Sequence, residues 1–198
     1  MKNLFWISIF AITLCFVSCD KPEEVAPIED DNKVYAVGDY YNKAGVTGIV
    51  YKISDNGKNG MIISMDQLEN EVWQNEPFSE TQATDTKNGK NNFNTIKNGG
   101  FDLNDFPSFK WCNDKNKGGI TGWYLPARDE AADIAAVTPI IRTALEKHGG
   151  TPFNYSTMWT STESSETHAY NYDITYKKAE AYWKDHNNMT ITRAVRAF

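Results

Sequence analysis

The sequence predicts an α+β domain built on a twisted antiparallel sheet. Segments rich in β-branched and aromatic residues lie on both sides of a helical middle section, and turn residues separate them. Aromatic residues make up 13% of the 198-residue chain, enough to build a core from large side chains. We therefore expect one domain over residues 34–198, with two or three helices.

The first predicted strands form an antiparallel meander. Residues 48–54 alternate between the two faces of a strand, and Asp-Asn-Gly at 55–57 is a strong turn signal. Residues 37–41 and 61–65 are rich in β-branched, aromatic or other apolar side chains. These three segments are predicted to pair with one another.

The middle of the chain is predicted to be loop and helix. Residues 66–100 are polar and rich in Asn, Lys and Gly, which indicates a long loop, with a short helix possible near 92–98. A further helix is predicted at 107–113. Apolar residues recur at helical spacing over 131–145, but Pro139 interrupts them, which predicts two helices or one kinked helix.

The last fifty residues return to strands. The segments at 159–161, 168–176, 179–184 and 190–198 all have extended-chain composition. Strands that precede and follow a helical section are typical of an antiparallel α+β sheet.

The N-terminus resembles the leader of a bacterial lipoprotein. Lys2 precedes an apolar run at 4–17, which is shorter than the ~20 residues that span a bilayer. The run ends in Phe-Val-Ser-Cys, which resembles the site where a cysteine is acylated and the leader is removed. We expect residues 1–18 to be a signal peptide and Cys19 to carry the lipid that holds the protein on the membrane.

An acidic tether is predicted over residues 19–33. From Asp20 to Lys33 there are six acidic residues and two lysines, with no aromatic residue to build a core. Acidic residues directly after the lipidated cysteine resemble an export signal for outer-membrane lipoproteins displayed on the cell surface, although a plain solvated tether fits as well. The net charge of the whole chain is −6, and the sequence lacks a basic stripe, so nucleic acid is not an expected partner.

The cysteines and titratable residues do not predict an enzyme. Removal of the leader leaves Cys112 with no partner other than the lipidated Cys19, so no disulfide is expected. The three histidines lack the spacing of a zinc site, and we predict no catalytic residues, no metal and no cofactor. Calcium binding by the loop carboxylates Asp102 and Asp105 stays open.

Three blocks of the sequence resemble a known family. They read GWYLPARDE at 122–130, MWTSTES at 158–164 and TRAVRAF at 192–198. In this order they resemble the Lcl C-terminal domain family over roughly residues 34–198. The sequence departs mildly from the family pattern at Ala127, Met158 and Thr192. The resemblance implies a C-type lectin-like fold and a surface role in adhesion or carbohydrate binding, and it implies no catalytic site.

Four charged residues in these blocks are predicted structural ties. We expect Glu130 and Glu163 to pair with Arg193 or Arg196 and so to fix the terminal strand. The planar guanidinium group suits this role because it binds carboxylates through two hydrogen bonds.

An aromatic cluster near the end of the chain is the candidate binding site. Tyr170, Tyr172 and Tyr176 share a parity and would face one side of a regular strand, with Tyr182 and Trp183 nearby. Such a face can stack on sugar rings, or it can be part of the core. The predicted function is glycan or matrix binding on the cell surface. The alternative is a structural or assembly subunit that packs against other envelope or host proteins.

Overall fold

A computed structural model describes residues 33–198, so the predicted signal peptide, Cys19 and the tether up to residue 32 lie outside the described residues. The elements, in chain order, are β1 (Tyr40–Lys43), β2 (Val46–Ser54), β3 (Asn59–Ile63), β4 (Leu68–Glu69), α1 (Gly89–Asn98), α2 (Pro107–Asn113), α3 (Arg128–Ala136), α4 (Thr138–Lys147), β5 (Thr157–Glu163), β6 (His168–Asp173), β7 (Lys178–Trp183), β8 (Thr190–Thr192) and β9 (Val195–Ala197). The predicted α+β class is confirmed. The prediction of two or three helices is wrong, because the described chain forms four α-helices.

The strands form two sheets. The first has the order β1-β2-β3-β9 and is antiparallel throughout. The second has the order β4-β8-β5-β6-β7, and its β5–β8 pair is parallel while its other pairs are antiparallel. The chain crosses from the second sheet to the first between β8 and β9, at Arg193 and Ala194. The terminal strands therefore link the two sheets.

Local chemistry accounts for the start of α1 and for the break between α3 and α4. The side chain of Asn88 accepts a hydrogen bond from the backbone N–H of Asn91 and caps α1, so this helix starts earlier than predicted. The predicted interruption near Pro139 is confirmed as two helices. Because a proline fits the first turn of a helix but not its interior, α3 ends at Ala136 and α4 begins at Thr138.

Large aromatic side chains fill the core. Trp73 packs edge-on against Phe106 and Phe109, with its ring centroid 5.0 Å from that of Phe109. Trp123 and Trp159, which belong to the blocks that carry the family resemblance, are both buried. Helix α3 contacts β2 of the first sheet and β5 and β6 of the second, so it bridges the two sheets.

Two further properties concern the described residues alone. Cys112 is a free, buried thiol, so the described domain contains no disulfide. Among residues 33–198, no helix combines the length and the apolar character needed to cross a bilayer.

Candidate functional site

The register of the β6–β7 hairpin separates the predicted aromatic cluster into two faces. In antiparallel strands, directly opposed residues point to the same side of the sheet. His168 opposes Trp183 and Tyr170 opposes Ala181, so these side chains share one face. Tyr182 opposes Ala169 and lies on the other face. The expectation that Tyr182 and Trp183 form one surface with the β6 tyrosines is therefore wrong for Tyr182.

Tyr172 and Tyr176 do not form part of an exposed face of β6. Tyr172 is buried, so the alternative assignment of this residue to the core is confirmed. Tyr176 lies outside β6, since the Asp173 side chain accepts hydrogen bonds from the N–H groups of Thr175 and Tyr176, both at 2.8 Å, and turns the chain. The shared parity of Tyr176 with the other two tyrosines has no structural meaning, because the strand ends at Asp173.

An exposed aromatic surface remains on the hairpin, and we call it the aromatic platform. It consists of Phe78, His168, Tyr170 and Trp183. The indole of Trp183 is 56% exposed, and its ring centroid lies 4.5 Å from that of His168 and 6.5 Å from that of Phe78. The guanidinium carbon of Arg128 lies 5.4 Å from the ring centroid of Tyr170, which places a cation at one end of the platform.

A buried ion pair connects the two segments that carry Trp183 and Phe78. Lys184 follows Trp183 in the chain, and its Nζ lies 2.6 Å from Oε1 of Glu163, with both side chains buried. The same ammonium group donates to the carbonyl oxygen of Ser79 at 2.7 Å, and Ser79 follows Phe78. The ion pair therefore holds in place both the strand that carries the exposed Trp183 and the loop that carries the half-buried Phe78.

The carboxylate of Glu163 also fastens the loop that carries Phe78. It accepts hydrogen bonds from the N–H of Thr81 at 2.9 Å and of Gln82 at 2.8 Å. Burial lowers the pKa of Lys184, while the adjacent Glu163 acts in the opposite direction. The predicted pairing of Glu163 with Arg193 or Arg196 is wrong. Glu163 ends β5 in the second sheet, where Lys184 is the neighbouring cation.

Glu130 makes local contacts instead of an arginine pair. Its carboxylate accepts hydrogen bonds from the N–H of Ala127 at 2.8 Å, the N–H of Gly89 at 2.9 Å and the hydroxyl of Tyr124 at 2.7 Å. These bonds tie the start of α1 to the start of α3. The prediction that Glu130 pairs with Arg193 or Arg196 is wrong, because two backbone N–H groups and one hydroxyl bind the carboxylate while both arginines donate to other oxygens.

The two C-terminal arginines bind carbonyl and amide oxygens. Arg193 is fully buried and donates to the carbonyl oxygen of Ser64 at 2.9 Å, to Oε1 of Gln67 at 2.8 Å and to the carbonyl oxygen of Thr151. Burial lowers the pKa of Arg193 to about 10. Arg196 donates from Nε to the carbonyl oxygen of Thr121 at 2.6 Å. Both arginines fasten the terminal segment, but through partners that carry no charge.

The sequence provided no signal for two members of the platform. Phe78 lies in the polar stretch that was predicted to be a long loop, and only the contacts of Lys184 and Glu163 bring it to Trp183. His168 begins β6, and its place beside Trp183 follows from the strand register. Both assignments depend on pairings between residues that are distant in the sequence.

Metal binding has little support within the described residues. No group of three or more His, Cys, Asp and Glu side chains in residues 33–198 could hold a metal ion. Asp102, one of the two carboxylates considered for calcium, accepts from the N–H and the side-chain amide of Asn104, both at 2.9 Å. It acts as the cap of a short 3₁₀ turn.

Another cleft lies between the start of β1 and α4, with a volume of about 580 Å³. Its walls include Ile140 and the rings of Tyr40 and His148, which stack with centroids 4.6 Å apart. The carboxylate of Asp39, at its edge, already accepts a hydrogen bond from the N–H of Ala36.

These features define a two-sheet α+β domain with an aromatic platform on an edge hairpin. No family model matches the chain, and no curated protein matches it. Among solved structures, the domain is similar to a fimbrial protein from Bacteroides ovatus ATCC 8483, with a TM-score of 0.57 and 15% sequence identity. The match covers 82% of this chain and 48% of that protein, so this chain spans about half of its length. At this identity the likeness concerns the fold alone, and the resemblance to the Lcl C-terminal domain family stays a prediction.

Proposed function

We propose that this protein is a non-catalytic lipoprotein of the cell surface, with a C-type lectin-like domain that binds glycans through the aromatic platform. The observation that carries the proposal is the exposure of Trp183 on a regular strand, beside the rings of His168 and Phe78. A large aromatic ring normally buries its apolar face. Here the fold holds one of the largest rings at the surface, with its flanking residue anchored in the core.

The chemistry of the platform suits a sugar. The apolar face of a pyranose stacks on an aromatic ring, while its hydroxyl groups need polar partners at the rim. The imidazole of His168 lies beside Trp183, and Arg128 lies over the ring of Tyr170 on the same face, so a ligand that extends along the platform can meet both polar groups. Because Lys184 and Glu163 fix the strand and the loop in advance, binding would require little ordering of side chains.

Two features support a location on the membrane surface. The leader ends in a lipobox-like sequence at Cys19, and the fold resembles that of a fimbrial protein. The anchor is tested by metabolic labelling with palmitate. Cys19→Ala should abolish the label, and a variant that still carries label would disprove lipidation at this residue.

Binding is tested with a lipid-free chain, residues 20–198, on an array of glycans and glycosaminoglycans, with and without calcium. Binding to a related set of sugars should weaken about 30-fold in Trp183→Ala, the equivalent of ~2 kcal/mol for a central tryptophan. Tyr176→Ala is the matched control, because Tyr176 is 82% exposed but lies at the far end of the hairpin, roughly 16 Å or more from Trp183. A blank array from folded protein, or equal losses in both variants, would disprove glycan binding at the platform.

The second candidate function is a subunit of an envelope assembly. Strand β7 forms an edge of the second sheet, and an edge strand can pair with a strand of another chain. The fimbrial protein with a similar fold favours this possibility. Light scattering after gel filtration tests it, because self-assembly requires a mass that rises with concentration. A monomer at every concentration that also binds glycans would favour the first proposal.

A further inference from the structure

A second cleft lies beside the platform, and we call it the Tyr51 cleft. It has a volume of about 450 Å³ and lies between β2 and the first two turns of α3. Its walls carry Tyr51 and Lys52 from β2, Asp129 and Asp133 from α3, and Lys87 from the loop before α1. Its volume is sufficient for one sugar residue with some of its water.

The hydroxyl of Tyr51 has no hydrogen-bond partner within the described domain, although the residue is only 2% exposed. An unpaired hydroxyl in such a place costs ~1–3 kcal/mol. Burial raises the pKa of Tyr51, and the nearby carboxylates of Glu130 and Asp133 raise it further. The hydroxyl is therefore protonated, and it lies close to two carboxylates of the cleft wall.

The other polar groups of the cleft differ in their availability. The carboxylate of Glu130 is occupied by the three donors described above. Lys52 and Asp133 form an ion pair at 2.6 Å whose side chains are 57% and 43% exposed, so both groups face solvent and could bind a ligand. Asp129 receives only long contacts, from Thr86 Oγ1 at 3.3 Å and Arg128 Nε at 3.2 Å.

We infer that the Tyr51 cleft binds a neutral, hydroxyl-rich ligand, namely one sugar residue of a glycan. Three carboxylates, those of Asp129, Glu130 and Asp133, line the cleft. They are balanced by the ammonium groups of Lys52 and Lys87 and by the guanidinium group of Arg128, which contacts Asp129, so the charge favours neither an anion nor a cation. Carboxylates accept hydrogen bonds from sugar hydroxyls, ammonium groups donate to them, and the Tyr51 hydroxyl can donate to a sugar oxygen.

The cleft and the platform adjoin at the first turn of α3. Arg128 borders the platform and Asp129 lines the cleft, and their side chains are in contact. An oligosaccharide that stacks on Trp183 can thus place a further residue in the cleft. The choice of a sugar rests on the proposed glycan-binding function, but the cleft does not need the platform in order to bind a single sugar residue.

The inference is tested with the folded lipid-free chain and methyl glycosides of glucose, galactose, mannose and N-acetylglucosamine, with methyl glucuronide as the charged comparison. Amide chemical shifts are followed by NMR during titration. We expect a neutral glycoside to shift the amides of Lys52, Lys87 and Asp133. Tyr51→Phe should weaken this binding about two- to tenfold, the effect of one hydrogen bond.

Tyr51→Phe also separates a binding role from a structural one. Removal of a buried hydroxyl that has no partner should leave the thermal midpoint unchanged or raise it, whereas removal of a structural hydrogen bond would lower it. Asp133→Asn, a change on the exposed wall of the cleft, should weaken sugar binding as well. Tyr176→Phe is the matched control and should bind as the unchanged protein does.

The outcomes separate this inference from the proposed function. Cleft shifts that persist in Trp183→Ala support the inference even if the platform binds nothing. Tyr51→Phe that binds as tightly as the unchanged protein would overturn it, even if Trp183→Ala abolishes array binding. Titrations in which no neutral glycoside shifts the amides of the cleft, or in which only methyl glucuronide does, would overturn it too.

Discussion

Replacement of Glu163 by glutamine tests whether the buried ion pair holds the domain and its platform together. In the folded protein the carboxylate accepts from Lys184 Nζ at 2.6 Å and from the N–H groups of Thr81 and Gln82 at 2.8–2.9 Å. Glutamine has nearly the same shape, but it offers one acceptor oxygen and directs an NH₂ group at the remaining donors. If the remaining oxygen keeps Lys184 and Thr81, the N–H of Gln82 loses its acceptor and the new NH₂ group becomes a second buried donor without one. Lys184 also loses its counter-charge.

The expected loss of stability is large. Each buried donor without an acceptor costs ~1–3 kcal/mol, so the two unpaired donors of Glu163→Gln cost about 2–6 kcal/mol. This range agrees with the ~3–5 kcal/mol typical when one partner of a buried ion pair is removed. With an m-value of about 2 kcal/mol per M, a loss of ~4 kcal/mol moves the urea midpoint of Glu163→Gln down by about 2 M.

Urea unfolding followed by tryptophan fluorescence is the assay, and Glu180→Gln is the matched control. Glu180 pairs with Lys178 on the exposed edge strand at 2.7 Å, where solvent screens the interaction, so its midpoint should not change measurably. The double variant Glu163→Gln with Lys184→Met should recover part of the loss, because no buried charge is then unpaired. A midpoint for Glu163→Gln as high as that of the control would refute the reasoning.

Two further predictions concern the buried titratable groups. Cys112 is fully buried, and burial raises the pKa of its thiol. Iodoacetamide should therefore not label Cys112 in the folded protein at pH 8. Labelling within the mixing time would contradict the assigned burial. Burial, followed by Glu130, also raises the pKa values of Tyr51 and Tyr124, so the folded state keeps protons that the unfolded chain releases above about pH 10. The free energy of unfolding should then fall as the pH rises, by up to ~1.4 kcal/mol per pH unit for each of the two tyrosines. Tyr51→Phe should reduce this slope, measured by chemical denaturation at pH 9–11. Equal slopes for Tyr51→Phe and the unchanged protein would contradict the raised pKa of Tyr51.

Much of the local structure was predictable because it depends on neighbours in the sequence. The interruption at Pro139 divides the helical region whatever packs around it, since proline cannot continue a helix interior. The alternating segment at 48–54 forms β2, and the Asp-Asn-Gly turn follows it. Trp123 and Trp159 are buried, as expected for a core built from large aromatic side chains.

The partners of the charged residues were not predictable in the same way. Glu163 and the two C-terminal arginines have suitable chemistry for one another, but they lie in different sheets. The cation that reaches Glu163 is Lys184, which β7 brings alongside through its pairing with β6. A sequence shows which charges are present, whereas the strand order decides which of them meet.

The same distinction applies to the candidate site. The sequence by itself determined the α+β class, the break between α3 and α4, the strands of the terminal hairpin and the presence of aromatic residues among them, because these depend on composition, periodicity and turn residues. Only the tertiary structure decided that Trp183 is exposed while Tyr172 is buried, that Tyr182 lies on the opposite face, and that Phe78 joins the platform. The physical reason is that a side chain's face depends on strand register, and its exposure on what other segments cover it.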